Sequence, residues 1–528
     1  MLAIDTTPSA TDLTPVAPVT GPGLPLTPES QSADEHCPGI KSESASKVAE
    51  PNALASLGRA RKNYLMVAFC LSMFIDSAGL SAMFLMTAPI ADDLGIELAN
   101  QPWVIGSYAL AFASTLLFAG RLADLFPPSI VYTVGFLGMG ILHLIISFMS
   151  NAYAFYVLRA LSAVLGSLTV PSSVNMIVQM YPDPVEQGKK LGIFGTSGPL
   201  ANTLVLIIAG GFVMASWRWY FRFIAILVVP FSIGAWFLMP RTRAVAEDLG
   251  RGEKWRRMDL GGVALMIAML VCFILALTQG PLDGWNKPVF IAPIVISAVL
   301  FPVFIIWEQR MPRGYSMLPH DIWRFPNIFP LIIQATVPVF FFSVVQLRMA
   351  SYFQDTLHES AIISGLKLFP MGVIAFLGGV ITQFVPFLAR RPRLVQPIAA
   401  LFVFTGLMVL AYSNGQHYWR WIFPAEIVGT SGCIVIFIGM NTALIQAFPL
   451  EFAGVGGSFA NVIFQLGGII GVAVQTALVA GDGHVDEWKG TQNSYFFAAG
   501  WVLASGIIFA LWFRQSKMPR NGSAQVAV

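Results

Sequence analysis

Residues 64–90 read YLMVAFCLSMFIDSAGLSAMFLMTAPI. At 1.5 Å per residue a helix of this length spans the roughly 30 Å hydrocarbon core of a bilayer. One position breaks its apolar character: Asp76, near the middle. A charge there costs about 2.5–3.5 kcal/mol on insertion scales, which a purely structural helix would avoid. Working outward, apolar runs of similar length recur at 103–120, 130–150, 152–180, 190–214, 219–239, 259–279, 288–308, 328–353, 361–386, 394–413, 421–447, 454–480 and 494–514. Fourteen such runs predict an all-α polytopic membrane protein. A membrane β-barrel would instead show short alternating segments.

The charge pattern tests that count. Of 528 residues, 56% are hydrophobic and 11% charged, against about 25% charged in soluble domains. The net charge is only +3, but the basic residues cluster on alternate loops: Arg59, Arg61 and Lys62; Arg241, Arg243, Arg251, Lys254, Arg256 and Arg257; Arg390, Arg391 and Arg393. The intervening loops carry only Arg218, Lys287, Arg420 and Lys489. Cytoplasmic loops are enriched in Lys and Arg, so both termini are expected inside. One missed span would scramble the alternation. Asn521-Gly-Ser523 then faces the cytoplasm and accepts no glycan.

The organisation that follows is 1–58 as a disordered cytoplasmic tail, 59–239 as a six-helix bundle, 240–258 as a cytoplasmic loop, 259–308 as two extra helices, 309–514 as a second six-helix bundle, and 515–528 as a C-terminal tail. No signal peptide is visible. Cys70, Cys272 and Cys433 lie inside apolar runs, and with Cys37 they make no metal or redox spacing. Nucleotide loops, zinc spacings and nucleophile–base motifs are absent, so enzyme chemistry, cofactors and nucleic-acid partners are not expected. Coupling to an ion gradient is the remaining energy source.

Residue depth singles out candidates. Asp76 lies about 18 Å in from the inner end, near the midplane, where a carboxyl group is a candidate to bind and release a proton. Arg159 lies about 10 Å from the outer face and Asp76 about 12 Å, so the two can pair. A structural bridge, or an arginine snorkelling outward, is the alternative. Glycines recur at matching places in the two bundles: Gly192, Gly195, Gly198, Gly210 and Gly211 in the fifth span, Gly454, Gly456, Gly457, Gly467, Gly468 and Gly471 in the thirteenth. Interrupted helices of this kind point to transporter binding sites, and small residues equally permit close helix packing. On the same helices Asn202, Asn461 and Gln465 either contact a substrate or bridge helices. Lys367, about 9 Å in from the outer face, lines a vestibule or snorkels. Arg348 reads as an outer anchor, Arg222 and Glu426 as interfacial. The abundant Phe and Met suit either an adaptable pocket or lipid-facing surface.

A set of short motifs now becomes specific. Phe118-Ala-Gly-Arg-Leu-Ala-Asp124 resembles the loop signature of the major facilitator superfamily. Ile75-Asp76 with Ala88-Pro89-Ile90, Trp103-Val-Ile-Gly-Ser-Tyr108, Leu158-Arg159-Ala-Leu with Gly166 and Pro171, Gly198-Pro199, and Ser216-Trp-Arg-Trp219 resemble motifs of its fourteen-helix drug:proton antiporters, in a fungal-type branch. The resemblance implies a monomeric transporter with a 6+2+6 helix arrangement, which exchanges a small organic molecule for protons across the lipid bilayer. Asp76 would carry the proton, Arg159 tune it, and Gly120 with Asp124 form an inner gate in which Asp124 faces a helix N-terminus of the other half. Gly198, Pro199, Asn202, Asn461, Gln465 and Lys367 would lie on the substrate pathway. The sequence departs from the family where a basic cluster and a glycine follow Asp124; it has Leu125-Phe-Pro-Pro-Ser129. The expected function is efflux of a drug, toxin or secondary metabolite at the plasma membrane. The alternatives are uptake or organellar transport of a siderophore or basic amino acid, and a non-transporting receptor.

Overall fold

The computed structural model describes residues 54–97, 100–240, 252–253, 257–312, 315–316, 327–385, 388, 391–447, 453–480 and 488–514. Fourteen helical stretches there are long and apolar enough to cross a membrane, and they match the expected spans one for one. The first six spans are α1 (Arg59–Leu94), α2 (Pro102–Leu125), α3 (Pro128–Ile146), α4 (Ala152–Ser167) with α5 (Thr169–Met180), α6 (Pro184–Val213) and α7 (Trp217–Leu238). Then come α8 (Leu260–Asp283) and α9 (Pro288–Arg310). The last six are α10 (Ile328–Ala335) with α11 (Val337–Ser351) and a π turn Tyr352–Thr356, α12 (Ala361–Phe384), α13 (Pro392–Tyr412), a π turn Tyr418–Ile422 with α14 (Phe423–Gln446), α15 (Ala453–Ala480) and α16 (Trp488–Trp512).

Local chemistry sets the breaks. Pro171 lacks the N–H that would bond the carbonyl of Ser167, and the fourth span breaks there into α4 and α5. Pro338 does the same to Gln334 between α10 and α11. Asn151, Asp183, Ser216 and Asp259 accept backbone N–H groups at helix starts, and proline occupies the first turn of α2, α3, α6, α9 and α13. At the α13–α14 turn, Gly415 adopts φ +67° with the Tyr352 ring packed where a side chain would stand. Helices overrun the apolar runs by up to two turns. Lys62 at the start of α1 is kept near the bilayer edge by donating to the Met180 carbonyl at 3.3 Å and lying over the Tyr181 ring.

The first and last six spans meet along two seams, α6 on α12 and α2 on α15. Glycine makes these approaches possible. A Cβ on Gly365 of α12 would stand 2.8 Å from the Leu206 carbonyl oxygen of α6, and one on Gly210 would stand 2.9 Å from the Ile362 Cα. In the last six spans, Gly467 of α15 lies against the Thr336 backbone between α10 and α11. The glycine-rich helices are therefore close-packing helices, and both also border the cavity described below. Asn327 and Arg514 exchange hydrogen bonds of 2.9 and 2.8 Å, closing the start of the ninth span onto the end of the fourteenth. The α8–α9 hairpin is pinned by Asp259, which accepts from Gly262 N and Trp307 Nε1. α8 rests on α2 and α15, and α9 rests on α8. Val289, Val295, Val299 and Trp307 of α9 are exposed, as a lipid-facing helix requires.

One expected boundary moves. Leu54 is 1% exposed and belongs to the apolar core, so the chain is already packed before residue 58. Residues 1–53, 241–251, 254–256 and 515–528, which carry the rest of the expected tails and most of the basic loop, lie outside the described residues.

Candidate functional site

A cavity of about 1160 Å³ lies between the two sets of six spans. It reaches from mid-bundle, at Gly198 and Asn461, to the expected outer end, at Thr87, Gln101 and Asp355. Its walls are mostly apolar, with Met73, Phe84 and Phe342 joined by Phe437 and Phe464, whose rings sit 4.8 Å apart. The polar lining is largely amide: Asn202, Asn461 and Gln465, as expected, and also Gln346, Gln354 and Gln475. Arg348 and Asp355 add charge near the outer end. Asn202 is held by the Ser81 hydroxyl at 2.5 Å, and Asn461 by its own helix, donating to the Gly457 carbonyl at 2.9 Å. Gln346 and Gln475 each keep a buried side-chain oxygen without a hydrogen-bond partner. A cavity of this size with sparse polar groups fits a small organic ligand.

Asp76 does not line this cavity. Ser77 does, while Asp76 is 5% exposed and turned toward α2 and α5. Successive helix residues differ by about 100° in direction, so one position separates wall from interior. Tyr108 donates to Asp76 Oδ1 at 3.3 Å, and Thr169 Oγ1 lies 2.9 Å from Oδ2. The Thr169 oxygen is also 2.8 Å from the Gly166 carbonyl. A hydroxyl has one proton to give. If it goes to the carbonyl, Asp76 must donate to Thr169 and is protonated. If it goes to Asp76, Oδ2 accepts, as an oxygen of the charged carboxylate does. The same atoms accommodate both states.

The expected Asp76–Arg159 pair is not formed. Arg159 is fully buried and donates through Nη2 to the carbonyls of Gly79, at 3.0 Å, and Val104, at 3.4 Å. Its guanidinium lies 5.0 Å from the Tyr108 ring centre. Tyr108 therefore stands between the two charges, with its face to the arginine and its hydroxyl to the carboxylate. Equal depth was legible in the sequence. The intervening ring was not, because depth does not say which way Tyr108 faces around the α2 axis. Tyr220 completes the cluster by donating to the Ala78 carbonyl.

Other expectations are also revised. Asp124 hydrogen-bonds within the first six spans, accepting from Asn175 Nδ2 of α5 at 3.2 Å, and its second oxygen is buried without a partner. Beside Gly120, Arg121 donates through Nε and Nη2 to the Arg257 carbonyl, at 3.1 and 3.0 Å, tying the inner end of α2 to the start of α8. Lys367 is off the cavity: it pairs with Glu359 at 2.5 Å and lies over the Phe353 and Tyr418 rings. Arg348, expected as an anchor, lines the cavity and donates to Thr491 at 2.6 Å. Arg222 lies over the Phe148 and Trp219 rings, at 5.1 and 4.8 Å from their centres. Glu426 is not interfacial: it is fully buried. Asp93, unremarked in the sequence, joins Trp217 and Arg218 of the Ser216–Trp219 motif at the outer end of α1.

Fourteen spans and a central cavity between two helical sets define a polytopic membrane transporter fold. The sequence profile of the Major Facilitator Superfamily matches residues 65–472, and the chain belongs to that family. It is 25% identical over 464 residues to the "Efflux pump terJ" of Aspergillus terreus, covering 85% of this chain and 87% of that one. It is 27% identical over 399 residues to the "Puromycin resistance protein pur8" of Streptomyces alboniger, covering 74% and 76%. Among solved structures, the peptide transporter POT in complex with sulfate superposes with a TM-score of 0.59 at 17% identity, covering 84% of this chain and 93% of that one.

Proposed function

We propose that this chain is a proton-coupled exporter of small organic molecules that works by rocking its two six-helix sets, 59–239 and 309–514, about the central cavity. The observation that carries the reading is the Asp76 cluster. It is a buried carboxyl group one residue behind a cavity-lining serine, with partners suited to both protonation states. The names of the similar efflux and resistance proteins support the outward direction. Large apolar walls with scattered amides suit amphipathic, uncharged or weakly charged molecules. Gaining or losing the proton changes what Asp76 asks of α2 and α5, and α2 forms one of the two seams. Proton binding thus biases the rocking equilibrium without the proton and substrate sharing a contact. The 259–308 hairpin is a peripheral support. No covalent step is assigned to any residue. Protons, a small-molecule substrate and the bilayer are the partners, the working unit is a monomer, and both termini face the cytoplasm of a cell whose plasma membrane holds the protein.

The test is accumulation of fluorescent amphipathic drugs in cells with and without the protein, with and without a protonophore. Lower accumulation that the protonophore reverses is expected, and Asp76→Asn should abolish it while leaving expression and folding intact. Full pH-driven efflux by Asp76→Asn would sink the assignment. The cavity's extension to the expected outer side also suits loading from outside, and protonophore-sensitive gain of substrate would establish uptake instead.

A further inference from the structure

The last six spans hold a second buried acidic cluster with no role in the reading above. Glu426 lies on α14, and both its carboxyl oxygens are buried with no hydrogen-bond partner. Tyr495 of α16 is also fully buried, with an unpartnered hydroxyl, and it lies within electrostatic reach of both Glu426 and Arg348. Arg348 on α11 borders the cavity. The other titratable group facing Glu426 is Tyr418 of the π turn, whose hydroxyl donates to the Lys367 carbonyl at 2.6 Å. Of the remaining helices packed on α14, α10 and α15 carry no ionisable side chain. Arg393 and Tyr412 of α13 are exposed, and Lys367 of α12 is committed to Glu359.

The arrangement mirrors the first six spans with the charges exchanged. There the first span carries the acid, Asp76, and the fourth carries the base, Arg159, with Tyr220 on the sixth touching the first. Here the first span carries the base, Arg348, and the fourth carries the acid, Glu426, with Tyr495 on the sixth in electrostatic reach of both. Arg159 and Glu426 lie at similar depth, the eighth residue of α4 and the ninth residue of the span beginning at Tyr418. A carboxyl group with no partner in an apolar site is tolerated when neutral, whereas a bare carboxylate there must draw a donor or cation toward it. Tyr495 has a donor to give, and Arg348 is bonded to Thr491, one turn before Tyr495 on α16.

We propose that Glu426 is a second proton-binding site, linked to the cavity through Tyr495 and Arg348. Its carboxyl O–H releases the proton to water entering past Arg348, and the carboxylate left behind takes the Tyr495 hydroxyl as its donor. Rebinding reverses both changes. The consequence for transport, a second exchangeable proton per cycle, rests on the proton-coupled reading above. Proton binding itself does not.

Infrared difference spectroscopy of the purified full chain in lipid nanodiscs, stepped from about pH 4 to about pH 10, reads buried carboxyl C=O bands directly. The wild type should show titrating bands from its buried carboxyl groups, Asp76, Asp124 and Glu426 among them. Glu426→Gln, which keeps the shape of the neutral acid, should lose one of these bands, and Asp76→Asn a different one. Tyr495→Phe should leave both bands but shift the midpoint of the Glu426 band by about half a unit to one unit, the worth of one hydrogen bond. A Glu426→Gln spectrum identical to the wild type overturns the proposal. So does a Glu426 band that never titrates. Should Glu426→Gln fail to fold, an unmoved midpoint in Tyr495→Phe overturns it instead. Efflux that ignores a protonophore would defeat the proton-coupled reading while leaving these bands as they are, so the two failures are distinguishable.

Discussion

Gly166 is where the Asp76 cluster is most sharply constrained. A Cβ there would stand 2.6 Å from Asp76 Oδ1, 3.2 Å from the Tyr108 hydroxyl and 3.3 Å from Met139 Sδ. An ordinary carbon–oxygen approach is about 3.3 Å, so the methyl of Gly166→Ala overlaps the carboxyl by about 0.7 Å. Asp76 cannot simply turn aside, because its other oxygen is held at Thr169 and the Tyr108 hydroxyl is crowded by the same methyl. The 3.3 Å bond to Tyr108 is the one that gives, at about 0.5–1.5 kcal/mol, and overpacking adds about 1–3 kcal/mol. A tenfold change in an equilibrium corresponds to about 1.4 kcal/mol. Proton-driven transport by Gly166→Ala should therefore fall at least about tenfold. Gly211→Ala, at an exposed position of α6 with open space around it, should transport as wild type and gain slightly in helix stability. The assay is drug movement in proteoliposomes under an imposed pH gradient, with thermal stability in detergent as the folding control. Unchanged coupled transport by Gly166→Ala would refute the claim that this packing holds the proton site.

Three further outcomes are expected. Asn202→Val removes the acceptor of the Ser81 hydroxyl and one of the cavity's few polar groups, so drug affinity should change about fivefold, read by binding titration, with coupling to the pH gradient intact. Arg121→Ala removes two charge-assisted bonds to the Arg257 carbonyl, a loss of about 2 kcal/mol, and amides at 119–125 and 257–262 should exchange hydrogen faster in deuterium. Lys367→Ala breaks a partly exposed ion pair away from the cavity, so stability should fall by about 1 kcal/mol or less in thermal unfolding while drug affinity stays unchanged.

Residue position along a span translates directly into depth, and this is why so much of the fold was legible. Each run of apolar residues reports its own solvent, and the basic loops give the expected direction of crossing. The fourteen spans, a buried carboxyl group within the first and the cavity-lining amides of α6 and α15 all followed from position along the chain. Direction around the helix axis does not follow from it, and each correction at the site is of that kind. Asp76 and Ser77 are neighbours in sequence, yet one faces Tyr108 and the other the cavity. Arg159 shares a depth with Asp76 but has a tyrosine ring in between. Glu426 lies near an expected outer end, where depth alone suggests an interfacial charge, yet the helices around it bury its side chain. In a soluble protein the polar face of a helix would reveal such directions as a stripe. Here both lipid and core are apolar, so a span can turn almost any face inward without changing its composition. What distinguishes the faces is the rare polar residue. The best sequence signal for direction was therefore the pairing of such residues across spans, as of Asp76 with Tyr108 and Thr169. That pairing becomes visible only when helices are placed side by side.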